Sequence, residues 1–90
     1  MHSTTLPETR IHHHPHVEID SYGSPVIKGT RVPVRRLWQW HQRGVFVAQL
    51  VQRYPSLGWA KVLDALSFAY DNEQLVEADL DRERAILRSS

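Results

Sequence analysis

Cysteine is missing from this 90-residue chain. Its absence excludes disulfides, thiolate metal sites and a cysteine nucleophile, and it fits a reducing compartment. Long apolar runs are missing as well: no stretch approaches the roughly 20 residues needed to cross a bilayer. The opening Met1-His2-Ser3-Thr4-Thr5-Leu6-Pro7 has no charged segment followed by an apolar one. A secretion signal is therefore not expected, and a cytoplasmic protein is. There is no glycine-rich phosphate loop and no Ser/His/Asp grouping beyond chance. The acids Asp71, Glu73, Glu77, Asp79, Asp81 and Glu83 are expected on an exposed helix, with nothing to pair them with a pocket. Neither catalysis nor a cofactor is expected.

What is present fits one small domain. A core of this size stabilises a fold only marginally, so docking or dimerisation would help. The net charge is +1, but it is unevenly placed. Up to Pro55 there are seven Lys/Arg against three Asp/Glu, and from Ser56 onward four against seven. Such halves suggest two contact faces, the basic one for phosphate and the acidic one for a basic protein surface or water.

Residues 1–10 read as a flexible leader. In the segment that follows, Val17 and Ile19 alternate with Glu18 and Asp20, which predicts a short half-buried strand. A turn over Asp20–Pro25 and a second short strand at Val26–Lys28 complete a hairpin. Pro33 suits an early helix position. A first helix is predicted over about Val34 to Arg43, with Val34, Leu37, Trp38 and His41 on one face and Gly44 ending it. A second is predicted over about Phe46 to Tyr54, with Val47, Leu50, Val51 and Tyr54 inward and Pro55 as its stop. A third should run from about Trp59 to Tyr70, burying Trp59, Val62, Leu63, Leu66 and Tyr70. A fourth, Glu73 to Leu87, carries a narrow seam of Val76, Leu80 and Leu87, which either meets a partner or packs back on the core. Three short-linked helices suit a helix-turn-helix, and a generic bundle gives the same periodicity.

The string Pro25-Val26-Ile27-Lys28-Gly29-Thr30-Arg31-Val32-Pro33-Val34, with Gly23 ahead of it, resembles the signature of the DUF433 family, a domain of unknown function. Downstream, Leu37, Gly44, Leu50 with Tyr54-Pro55, Leu57, Val62, Ala65-Leu66 and Ala69-Tyr70 continue the likeness, so that it spans roughly residues 11–75. Gly58 departs from it, since the family usually has Thr or Ser there as a helix cap. The resemblance implies a mainly α fold: a homeodomain-like three-helix core with a short N-terminal β-hairpin and a C-terminal helix, as residues 11–72 and 73–90. It also implies a VapB-type antitoxin beside a PIN-like ribonuclease, dimerising through its N-terminal extended segment.

Candidate site residues follow from charge and exposure. Lys28, Arg31, Arg35 and Arg36 can position phosphates, and Arg can read guanine. Arg35 and Arg36 lie off the apolar stripe of the first helix and are expected to face solvent. Arg31 has a competing role, tying down the hairpin through backbone carbonyls or an acid. On the third helix Lys61 is the one base, and Asp64 would repel phosphate, which is poor equipment for reading a groove. Trp40 leaves the stripe and is the candidate exposed aromatic at a partner or dimer contact. Val76, Leu80, Arg84 and Leu87 are the candidate partner seam, and Arg82, Arg84 or Arg88 could enter the acidic metal site of a nuclease. His41 reads as a core or rim histidine. His12, His13, His14 and His16 invite a metal, but only alternate residues of a strand converge, so no physiological metal site is expected. DNA, a PIN-like toxin and a second copy are the expected partners, and a membrane is not. A protein-only adaptor on the same scaffold is the alternative.

Overall fold

The structure is a computed structural model and describes residues 13–89. Two strands, β1 (Val17–Ile19) and β2 (Pro25–Ile27), precede four helices: α1 (Val34–Gln42), α2 (Val47–Arg53), α3 (Gly58–Asp71) and α4 (Glu73–Arg88). The chain is thus mainly helical, with α2, a short turn and α3 in helix-turn-helix order. None of these helices is long and apolar enough to cross a membrane.

The strands pair antiparallel, with Val17 opposite Ile27 and Ile19 opposite Pro25. Asp20 shapes the turn between them, because its Oδ1 accepts from the amides of Tyr22 and Ser24 at 2.8 and 3.0 Å. The expected alternation is only half obeyed: Val17 is buried, whereas Ile19 is 41% exposed. All three residues of β2 are buried. The next turn is held by Thr30, whose hydroxyl donates to the Ile27 carbonyl at 2.7 Å and accepts from the Val32 amide at 3.1 Å. Arg31, the residue expected to tie the hairpin, is exposed and makes no such bond among the described residues. A hydroxyl one residue away reaches the same backbone groups with less chain to order.

Pro33, in extended geometry, sits at the N-cap of α1. The helix closes in a Schellman arrangement, with the Val45 amide on the Trp40 carbonyl and the Gly44 amide on that of His41. Gly44 has φ 88°, a region glycine enters without steric cost. At the start of α2 the Gln49 side chain accepts from the Phe46 amide. Gly58, which opens α3, has φ 73°. Glycine is therefore required by the backbone at this position, where the sequence suggested only a weak cap. Asn72 separates α3 from α4 and returns its side-chain amide to the Phe68 carbonyl.

Val34, Leu37 and Trp38 of α1, Leu50 of α2 and Val76 of α4 meet in one core. The buried face of α3 is rotated from the expected one. It consists of Val62, Ala65, Leu66, Phe68 and Ala69, while Trp59, Leu63 and Tyr70 are exposed. The cause is tertiary, since α1, α2, α4 and β1 all touch α3 and together claim one broad side of it. Phe68 is the largest fully buried side chain. Burying a phenylalanine contributes roughly 1.5–3 kcal/mol.

Candidate partner-binding surface

The seven cations between Asp20 and Asp64 have no acid among them in sequence, and the fold sorts them into groups. Arg35 points into α4 and is largely withdrawn from solvent, whereas Arg36 pairs with α4 but keeps 39% of its side chain exposed. Arg35 donates Nη1 to Asp79 at 2.9 Å and Nη2 to Glu83 at 3.3 Å. Arg36 donates to the same Glu83 oxygen at 3.0 Å and to Gln39. Asp79 is the hub of this cluster. It is 2% exposed and accepts on Oδ1 from the Ser24 hydroxyl at 2.6 Å and from Arg82 at 2.7 Å. Burial pushes its carboxyl up, but the hydrogen bonds from Ser24, Arg82 and Arg35 and the charge of Arg35 outweigh burial and hold it below the ordinary carboxylate range. Burial likewise pulls the Arg35 guanidinium down, and Asp79 and Glu83 more than offset that. The acids expected on a solvated face are thus largely committed: Glu77 also accepts from the Trp38 indole at 2.7 Å.

A second polar cluster ties the segment before β1 to α3. His14 lies in a turn, not a strand, and is 3% exposed. Its Nδ1 faces Asp64 at 3.1 Å and its Nε2 faces Asp71 at 2.8 Å. The second Asp64 oxygen accepts from the His16 amide at 2.8 Å. Asp64 is therefore a structural anchor, not an acid facing a groove. Among the described residues no group of three or more His, Asp or Glu is placed to hold a metal. His12 lies outside the described residues.

Lys28 and Arg31 sit exposed on the β2–α1 turn, and Lys61 is half-buried on α3. Trp59, Leu63, Ser67 and Tyr70 recur at steps of four, four and three, so they share the outward face of α3. Trp59 is 53% exposed. Lys61, two residues from Trp59 and from Leu63, lies off that face. Tyr70 continues the face to α1, where its hydroxyl meets His41 Nε2 at 2.6 Å, the rim role expected of that histidine. His41 in turn lines a shallow depression with Phe46, another exposed aromatic.

The residues offered as a partner seam are divided by the fold. Val76 and Leu80 are buried in the chain's own core and present no surface. Arg84 is exposed, 3.5 Å from Asp81, and Leu87 is exposed beside Ile86. These last two line an open cavity of about 450 Å³ with Tyr22, Asp20 and Arg82, floored by the Asp79 cluster. Trp40 is only half exposed and is covered by two guanidinium groups, so the aromatic expected at a contact is already partnered within the chain.

Residues 21–69, more than half of the chain, match a family described as protein of unknown function (DUF433). The chain belongs to the DUF433 family. No curated protein and no solved structure matches it. In this DUF433 chain the matched segment runs from the β-turn to two residues short of the end of α3. Asp79, Glu83, His14 and Asp71 all lie outside it. The groups that neutralise Arg35 and anchor Asp64 are therefore contributed by the flanks of the DUF433 segment. Sequence reasoning missed Phe68, Asp79 and His14. Two of these had a signal. Phe68 continues the steps of three from Val62 and Ala65, and Asp79 falls on the Val76–Leu80 seam, where an acid must be paired to be buried. Nothing in sequence links His14 to acids 50 and 57 residues away.

Proposed function

We propose that this DUF433 chain is an antitoxin-like binding protein without catalysis of its own, which neutralises a protein partner of the PIN-like ribonuclease class. The carrying observation is the outward face of α3, where Trp59, Leu63, Ser67 and Tyr70 offer aromatic and aliphatic surface and no charge. A helix that reads a DNA groove needs bases and polar side chains on that face. Aromatic surface on a stable helix suits the centre of a protein interface. Commitment of Arg35 and Arg36 to α4 supports the same reading, because it withdraws two cations from phosphate.

Co-expression with a ribonuclease of the PIN-like class, chosen from the gene's own neighbourhood once that is sequenced, tests it. The unaltered chain is expected to restore growth and to co-purify with the ribonuclease. Leu63→Arg, which places a charge at an already exposed position, is expected to weaken the complex at least tenfold while leaving the circular dichroism spectrum unchanged. Full neutralisation by Leu63→Arg, or none by the unaltered chain, overturns the proposal.

A further inference from the structure

The segment ahead of β1 is fastened to α3 through one buried ring. His14 is 3% exposed and packs edge-on against Phe68, with the ring centroids 5.5 Å apart. Both of its ring nitrogens face carboxylates: Nδ1 lies 3.1 Å from Asp64 Oδ1, and Nε2 lies 2.8 Å from Asp71 Oδ2. Asp64, Phe68 and Asp71 recur at steps of four and three, so one face of α3 supplies the whole seat. On the segment itself the titratable neighbours are His13, which is exposed, and His16, whose amide donates to the second Asp64 oxygen. Lys61 stands one turn before Asp64 on α3, and the Lys28 amide donates to the His16 carbonyl. Among the described residues no lysine or arginine comes within ion-pair distance of Asp64 or Asp71.

The protons on these atoms can be counted. An ionised carboxylate only accepts, and a neutral imidazole has a single N–H. With a neutral ring, one of the two contacts sets lone pair against lone pair around a ring closed to water. Both contacts are hydrogen bonds only when the ring carries two protons. We propose that His14 is a proton-operated latch, in which the doubly protonated ring pins residues 13–16 to α3 and loss of one proton releases Asp71. The order of release follows from exposure. Asp64 is 14% exposed and its other oxygen is held by the His16 amide, so it is the costlier acceptor to leave unpaired. Asp71 is 42% exposed and can exchange the ring for solvent. The remaining proton therefore stays on Nδ1. Asp64 and Asp71 lie on a different face of α3 from Trp59, Leu63, Ser67 and Tyr70, so the latch does not rest on the partner reading.

The test takes the full chain through a pH series from about 5 to 8, the range in which histidine ordinarily changes charge. Long-range proton–nitrogen NMR reads the two ring nitrogens of His14 directly. At the acid end both are expected to be protonated. As the pH rises, Nε2 is expected to lose its proton while Nδ1 keeps one. Over the same step, hydrogen-exchange protection of the His16 amide, corrected for the intrinsic effect of pH, is expected to fall about tenfold, the loss of one hydrogen bond to a charged group. Asp71→Asn separates the proton from mere packing. Its side-chain amide can donate to an unprotonated Nε2 while Nδ1–H bonds Asp64, so a neutral ring satisfies both contacts. In that variant the protection is expected to stay level across the series, with the circular dichroism spectrum unchanged. A ring that holds one proton throughout, or two throughout, overturns the proposal. So does an Asp71→Asn chain whose protection falls as steeply as that of the unaltered one.

Discussion

At the scale of the residue, the side chain on which most depends is Asp79. It is a buried acid whose two oxygens take three donors, from Ser24, Arg35 and Arg82. Pairs of this kind contribute little net stability against an apolar substitute, but breaking one strands a charge at a cost of about 3–5 kcal/mol. Asp79→Ala leaves Arg35 facing a cavity, and urea unfolding is expected to show a loss of that size. The pH dependence has a definite sign. The folded-state carboxyl lies below its ordinary value of about 3.9. The stability it contributes is therefore fully present above about pH 4 and is lost as pH falls below that value toward its native pKa. Unfolding curves of Asp79→Ala are expected to be flatter across that acid window than those of the unaltered chain. Equal acid sensitivity of the two would rule out Asp79 as a contributor.

At the scale of the element, the helices were legible because their punctuation is local. Pro33, Gly44 and Pro55 each stand within two residues of a helix boundary. A proline or a positive φ acts whatever the tertiary surroundings. Gly58 belongs with these. No atom lies within 4 Å of a Cβ added there, so the cost of a side chain is purely conformational. Gly58→Ala is expected to lower stability by about 1 kcal/mol, with Gly58→Val costing more and Gly58→Asn less, as thermal unfolding would measure. The reverse order would show that α3 starts without the left-handed residue. Which face of α3 turns inward was not legible. Trp59, Leu63 and Tyr70 satisfy helical periodicity as well as Val62, Ala65 and Phe68 do, and an apolar face turned toward a partner looks in sequence like one turned toward the core.

At the scale of the whole molecule, α4 divides into two parts. Val76, Asp79, Leu80 and Glu83 fasten its first part to α1 and α3. Ala85, Ile86, Leu87 and Arg88 project as exposed residues. Removing the residues after Arg84 is expected to change the unfolding free energy by less than about 1 kcal/mol. Ending the chain at Leu80 also removes Arg82 and Glu83 and is expected to cost more than about 2 kcal/mol. Equal losses in urea unfolding would place the fastening elsewhere. The longer truncation is therefore a poor test of partner binding, because it disturbs the core as well as the exposed end. The charge asymmetry between the two halves of the chain acts within the molecule: acids of the second half neutralise Arg35 and Arg36 of the first.

The sequence by itself determined the number, order and limits of the helices, the hairpin and the family, because these rest on spacing and on residues that act on their own backbone. Only the tertiary structure decided which cations stay free, which acids are buried and which aromatic faces point outward. Arg35 and Asp79 are 44 residues apart, and His14 and Asp71 are 57 apart. The charge of a side chain is written in the sequence, but its availability depends on what the fold sets against it.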